Sequence, residues 1–410
     1  MQVAVIGGGA AGFFAAISVR HHHPEARVMV LEKSNKLLSK VRISGGGRCN
    51  VTHDAPHISK LVQHYPRGGR FLRRSFDLFG QRETVQWFHE RGVELKVETD
   101  GRMFPTTDDS ATVIDCLMGE AHALGVNIRL DTAVRRCSVL NDGRFKLELP
   151  DGSGVTADRV IVTTGGHPKV EGYAWLNDVG HNIIAPVPSL FTFNMPSEPI
   201  KELMGVVVDP VRLRIVGGDL ESTGPLLITH WGMSGPAVLK LSAWGARVVH
   251  AMGYRFTLQV NWLGGRGEDE LRNELLARTP ELERKQVANA NPFLLPKRHW
   301  AFLLAKAGID HDAVWGSLAR KERNRLIDLL TNDRYQVEGK TTFKEEFVTA
   351  GGVDLAEVDP TTMQSRKAPG LYFAGEVLDI DGVTGGFNFQ AAWTTAYLAG
   401  RLSQGPIRSA

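Results

Sequence analysis

The sequence predicts an α/β protein. A parallel-sheet domain built from both ends of the chain flanks an inserted antiparallel segment, itself interrupted by helices. Three observations predict this. The chain opens on a buried-strand pattern that runs into a glycine turn and an alanine-rich helix, VAVIGGGAAGFFAAISVR. From Pro186 it changes to short alternating segments, LFTFNM, VVVDPVRLRIVG, GPLLITH and YRFTLQVNW, the pattern of an antiparallel barrel or sandwich. From Glu268 it changes again, to the amphipathic stretches EDELRNELLAR, PKRHWAFLLAKAG and DAVWGSLARKERNRLIDLLTN.

Composition bounds the reading. A chain of 410 residues, 42% hydrophobic and 23% charged, is that of a globular protein with two or three cores. The net charge of +3 permits an anionic partner without requiring one. Cys49, Cys116 and Cys137 stand at no metal-ligand spacing and are too few for a disulfide framework, which points to a reducing compartment. No apolar run approaches the ~18 residues of a membrane helix. A core strand already begins at Gln2, so no signal peptide is expected and the cytoplasm is the expected location.

Gly7, Gly9 and Gly12 have the G-x-G-x-x-G spacing between a strand and a helix. The first glycine allows the turn, the second lets backbone approach a pyrophosphate, and the third brings helix and strand together. The next strand, in ARVMVLEKS, ends at Glu32, 20 residues after Gly12, where a carboxylate takes a ribose diol and repels a 2′-phosphate. FAD or NAD is therefore expected over NADP. Two later stretches favour FAD. DRVIVTTGG, Asp158 to Gly166, is a strand returning beside the dinucleotide. GLYFAGEVLDIDGVTGGFNFQAAWTTAYLAGRL is a C-terminal strand, glycine loop and helix, which a flavin's ribityl chain and ring need and a nicotinamide does not. Glu376 is placed for ribityl hydroxyls, and a helix starting near Asn388 aims its positive end at the flavin N1–C2=O edge.

GGGAAG, ISGGGRCN, GRMFP, THWGMSGPAVLKLS and AGEVLDIDGVTGGFNFQAAWTTA, in this order, resemble the BaiN/YhiN-type FAD-dependent oxidoreductases, also called the aminoacetone-oxidase-like family. The resemblance implies a glutathione-reductase-like FAD-binding Rossmann domain with an inserted β-barrel domain that carries a helical insertion. The boundaries expected are 1–188 and 353–410 for the FAD domain, 189–264 and 336–352 for the barrel, and 265–335 for the helices. Cofactor contacts are expected from Gly7, Gly9, Gly12, Glu32, Lys33, Lys40, Ser44, Gly45, Gly46, Arg48, Val134, Thr164 and Gly165. The C-terminal contacts expected are Gly375, Glu376, Asp381, Gly386, Phe387, Asn388 and Phe389. After its Thr-Gly-Gly strand end the family carries a loop reading like G-S-T-G-D-G, where this chain has HPKVEGYAWLNDVGH.

Four residues are candidates for chemistry: Cys49, His230, Arg48 and Asn50. In KVRISGGGRCNVTH, Lys40 and Arg48 suit phosphates or the negative charge of a reduced flavin, and Asn50 lies beside them. Cys49, next to Arg48, is a candidate proton donor or nucleophile with a lowered pKa; the alternative is a small packing residue. His230, in THWGMSGP before a helix starting at Pro236, is a candidate acid or a structural histidine. Arg102 and Phe104 sit in a loop followed by a helix cap at Ser110. RHHHPEAR reads as a surface loop without carboxylate partners, so no metal is expected.

Between Lys36 and Arg74 nine cations face one carboxylate, Asp54, a net of +8. Arg67, Arg70, Arg73 and Arg74 exceed what FAD requires; a polyanion such as RNA accounts for them, and so does a solvated helix face. The function expected is NAD(P)H-driven hydride transfer from flavin N5 to an activated C=C or C=N bond, for which the family resemblance implies an RNA uridine or an enone as acceptor. Transient NAD(P)H binding is expected because only one G-x-G-x-x-G occurs. The alternatives are a flavin-dependent amine oxidase and a non-catalytic, flavin-holding RNA- or ribosome-binding protein.

Overall fold

The computed structural model describes residues 1–55, 57–341 and 348–403. The chain divides into two compact units, Met1–Ser189 with Phe343–Ala410, and Leu190–Thr342.

The first unit is built on a five-stranded parallel sheet. Its central strand β1 (Gln2–Ile6) pairs on one side with β2 (Arg27–Leu31), which pairs with Asn127–Arg129. On the other side lie Arg159–Val162 and then Leu371–Phe373. Val3, Val5, Val160, Val162 and Phe373 are all fully buried, the near-continuous apolar pattern of a sheet covered on both faces. The helix α1 (Ala10–His22) is buried from Ala11 to Val19. It packs against the C-terminal helix Phe387–Gly400 so closely that a Cβ on Gly400 would lie 2.4 Å from that of Ser18. The Ser18 hydroxyl donates to the Tyr397 carbonyl at 2.8 Å, joining the two ends of the chain. An antiparallel pair, Ile183–Ser189 with Val348–Val353, forms where the chain leaves this unit and returns.

Three local expectations are corrected. Arg102 and Phe104 lie in a strand, Arg102–Pro105, and not in a loop, because they pair with Leu95–Val97 and Thr52–His53. His21 and His22 lie in the last turn of α1 and are not in a loop, and His21 meets the Glu120 carboxylate at 2.8 Å. The helix Ser110–Ala123 is capped by Asp109, whose carboxylate accepts from the Ala111 N–H; the Ser110 hydroxyl donates instead to the Arg42 carbonyl.

The second unit carries a seven-stranded antiparallel sheet in the order Asp333–Glu338, Arg255–Asn261, Val207–Ile215, Glu221–Thr229, Gly232–Ser234, Thr192–Asn194, Lys340–Thr341. Alternation along its strands turns Val211, Leu213 and Ile215 inward, where they join Leu241, Leu258 and Trp300 in one core. Helices Glu268–Ala277, Lys297–Ala307 and Arg320–Asn332 follow the strand ending at Asn261. Among the described residues no helix is long and apolar enough to cross a membrane.

His299 is wholly buried here, edge-on to Trp262 with ring centroids 4.1 Å apart, and among the described residues neither ring nitrogen meets a hydrogen-bond partner. Burial, reinforced by Lys306, pushes its pKa down to about 3. The unfolded chain takes up a proton near the ordinary value of about 6.5, while the folded one does not until about 3. His299 therefore erodes stability progressively as pH falls through that window. We expect His299→Leu to raise the urea midpoint more at pH 5 than at pH 7; a gap that narrows on acidification would contradict the assignment.

Candidate active site

Three glycines shape the turn between β1 and α1, each differently. Gly7 has φ 114°, and a Cβ there would meet the Thr163 carbonyl oxygen at 2.5 Å. A Cβ on Gly12 would lie 1.9 Å from the Gly7 carbonyl oxygen, so the helix seats on the turn only without a side chain. Gly9 has nothing within 4 Å of its Cβ position and caps α1 without a side-chain hydrogen bond. The helix thus begins without a side-chain cap beside an open Gly9, an end with the polarity a pyrophosphate takes.

Glu32 stands at the edge of this cradle. Its carboxylate accepts from the Gly8 N–H at 2.8 Å, the Ser34 N–H at 3.0 Å and the Ser34 hydroxyl at 2.9 Å. A carboxylate fixed in this way keeps acceptor capacity for a diol. Lys33 beside it is exposed. The Thr132 N–H donates to the Glu32 carbonyl at 2.7 Å, and Val134 lies half-buried two residues on.

The SGGGRCN stretch breaks the helix Ser39–Gly47. Ser44 turns extended, and Gly45, Gly46 and Gly47 follow with φ of 58°, 71° and 86°. Gly45 packs against Phe104, where a Cβ would lie 2.7 Å from the ring, whereas Gly46 and Gly47, like Gly165, face open space. Cys49 is also left-handed at φ 60°, and its N–H donates to the Ser44 carbonyl at 3.0 Å. Asn50 explains the amide in this stretch. With its amide oriented by its neighbours, the oxygen accepts from the Gly386 N–H at 3.0 Å and the nitrogen donates to the carbonyls of Thr52 at 2.9 Å and Met103 at 3.3 Å. It ties the glycine stretch to the start of the C-terminal helix.

Gly166 is the meeting point of distant segments. Its Cβ position lies 2.6 Å from the Thr349 hydroxyl and 2.7 Å from a Glu376 carboxylate oxygen. Glu376 accepts from the Thr349 N–H at 2.8 Å and pairs with Lys40 at 2.6 Å. Gly375, at φ 76°, packs on Ala11 at the start of α1, and Thr164 is exposed nearby in sequence. Asn388 closes the preceding loop, accepting from the Gly382 N–H and donating to the Gly382 carbonyl. Phe389 stacks on Trp393 at 5.6 Å. The structure thus gathers Gly7–Gly12, Glu32, Lys40, Ser44–Asn50, Thr164–Gly166 and Gly375–Asn388 into one unit. His230 belongs to the other unit, exposed and edge-on to Trp231 at 4.4 Å.

Three residues depart from their expected parts. Burial pushes the Cys49 thiol up to about 12, against a smaller opposing effect of its Ser44 hydrogen bond. The expected lowering is absent because Arg48 turns away, bonding Glu98 at 2.6 Å and lying over the Phe104 ring at 3.9 Å. Asp381 is fully buried and held by Arg67 and by the Ser189 hydroxyl, so its carboxylate is engaged in an internal pair. Burial raises its pKa, opposed chiefly by Arg67. Arg67 is correspondingly removed from the basic surface, while Arg70, Arg73 and Arg74 are exposed on the helix Gly69–Phe76.

Reading the sequence missed His53 and His64. His53 meets the Gly385 carbonyl at 3.0 Å, and both rings pack on Phe387, with centroids 4.6 and 4.2 Å from it. Desolvation holds the His53 pKa below the usual histidine range, partly offset by that carbonyl. The available signal was His53 itself, three residues beyond Asn50.

The fold and the glycine cradle, with Glu32 at its edge, define an FAD-binding Rossmann oxidoreductase. The profile of the HI0933-like protein Rossmann domain matches residues 1–402, and the chain belongs to that family, the one its motifs resemble. The 3-dehydro-bile acid delta(4,6)-reductase of Clostridium scindens is 30% identical over 98% of both chains. The ribosomal RNA dihydrouridine synthase of Escherichia coli is 31% identical over 96% of this chain and 95% of its own. Among solved structures, the 3-ketosteroid-delta4-(5alpha)-dehydrogenase of Rhodococcus jostii shares the fold, with a TM-score of 0.51 at 14% identity over 98% of this chain and 97% of that one.

The cradle makes two contrasting predictions. Gly9→Val should leave the thermal unfolding of the apoprotein nearly unchanged while abolishing flavin retention on purification. Gly12→Val should reduce soluble, folded protein outright, because its side chain meets backbone. Cys49 should resist iodoacetamide at pH 8 in the folded protein and react once it is denatured; rapid native alkylation would contradict its burial.

Proposed function

We propose that this chain is an NAD(P)H-driven reductase that saturates an activated C=C bond, with an RNA uridine favoured over an enone as acceptor. The reductase reading is supported by the two relatives above, whose names both denote reduction and whose similarity runs over nearly the whole chain. The observation that carries the choice of RNA is the exposed trio Arg70, Arg73 and Arg74 on one short helix. Clustered guanidiniums of this kind serve phosphate contacts.

FAD, when bound, supplies a hydride from its N5. In this reading Gly7, Gly9 and Gly12 admit the pyrophosphate at the α1 terminus, and Glu32 accepts from the ribose. Lys40 and Glu376 flank the ribityl side. Asn50, through Gly386, holds the start of the C-terminal helix, whose positive end suits the charge that develops on reduction. Arg48, bonded to Glu98 and Asp108, steadies the glycine stretch and carries little uncompensated charge.

Two measurements test the reading. Anaerobic mixing of the flavin-loaded protein with NADH or NADPH should bleach its absorbance near about 450 nm, with slow return in air. No bleaching by either nucleotide, or fast reoxidation with peroxide release and an amine as donor, would favour a binding protein or an oxidase and overturn the proposal. Replacing Arg70, Arg73 and Arg74 by Gln should weaken binding of a ribosomal RNA fragment and reduce its log–log salt slope by about two. An unchanged slope would remove RNA as the favoured acceptor.

A further inference from the structure

The second unit carries a half-open pocket of ≈ 670 Å³ among the helices Glu268–Ala277, Thr279–Leu282 and Arg320–Asn332. This lies in the volume range of small-molecule sites. Its floor is apolar: Leu275, Leu282, Trp315 and Ile327 line it and are buried at 8% exposure or less. One wall, Leu276, remains 58% exposed.

The rim is cationic. Arg320 and Arg323 both line the cavity, one helical turn apart and on the same face as Ile327. Among the described residues neither forms an ion pair. Glu322 between them turns back to accept from the Ala319 N–H at 2.8 Å. Arg272, also at the cavity, is compensated by Asp269 at 2.5 Å and Glu268 at 3.8 Å. Glu283 is the single lining carboxylate. Two uncompensated guanidiniums above an apolar floor match a ligand with an apolar body and one anionic group. A nucleic-acid strand fits less well, because Trp315 is only 6% exposed and its ring lies against Trp300, leaving no open aromatic face for a base.

We propose that this cavity is a binding site for an amphipathic anion, separate from the dinucleotide cradle and independent of the proposed reaction. The apolar body rests on Leu275, Leu276 and Ile327, and the anionic group is held by Arg320 and Arg323. Calorimetric titration of the FAD-loaded full chain with dodecanoate, below its micelle concentration, should show one site per chain. The cationic dodecyltrimethylammonium should bind there far more weakly. Arg320→Gln with Arg323→Gln should weaken dodecanoate binding about tenfold or more, the scale of lost charge-assisted hydrogen bonds. Leu276→Glu, a change at an exposed position that leaves both arginines in place, should weaken it as well. Unchanged affinity in both variants, equal binding of the cationic amphiphile, or displacement of dodecanoate by a short RNA oligonucleotide would overturn the proposal.

Discussion

The contact between Gly12 and the Gly7 carbonyl oxygen is the constraint on which the first unit rests. With only 1.9 Å between that oxygen and the Cβ position, α1 can sit this low on β1 only as glycine. That seating brings the uncapped helix end over the turn, beside the carboxylate that Gly8 and Ser34 fix at the end of β2. It also presents the small face of α1 to the C-terminal helix, where Gly400 repeats the same requirement against Ser18. A phosphate cradle and a helix–helix contact thus follow from one steric demand.

The glycine stretch after the second strand solves a related problem with a different chemistry. Its successive left-handed residues cannot continue a helix, and they leave backbone exposed at Gly46 and Gly47. What keeps such a segment ordered is its polar end. Arg48 is bracketed by Glu98, Asp108 and the Phe104 ring, and Asn50 satisfies the Gly386 N–H and the Met103 and Thr52 carbonyls. Each of the Asn50 hydrogen bonds adds on the order of 1 kcal/mol, and an orphaned buried partner costs more. The cation and the amide are anchors for a flexible backbone, and Cys49 fills the space beneath them.

Charge in this chain divides by burial. Arg67 and Asp381, 314 residues apart, form an internal pair whose carboxylate is fully buried, with Ser189 taking one further lone pair. Breaking such a pair leaves an uncompensated buried charge, so its main effect is to hold the glycine loop leading to the C-terminal helix in one place. Arg70, Arg73 and Arg74, only a few residues on, remain at the surface, where a charge is cheap to keep and available to a partner.

The parallel sheet, the Gly7–Gly9–Gly12 turn, Glu32 and the change to antiparallel strands near Pro186 were legible in the sequence. Each depends on neighbours within one element or one turn, where periodicity and glycine spacing carry the information. Tertiary structure alone decided which cation of the basic stretch is internal, that Asp381 serves Arg67, that the Cys49 thiol is raised by burial, and that His53 and His64 flank Phe387. Those properties come from partners tens to hundreds of residues away and from exclusion of water. Neither is written in the local pattern, because solvation and Coulomb energy depend on distance in space and not along the chain.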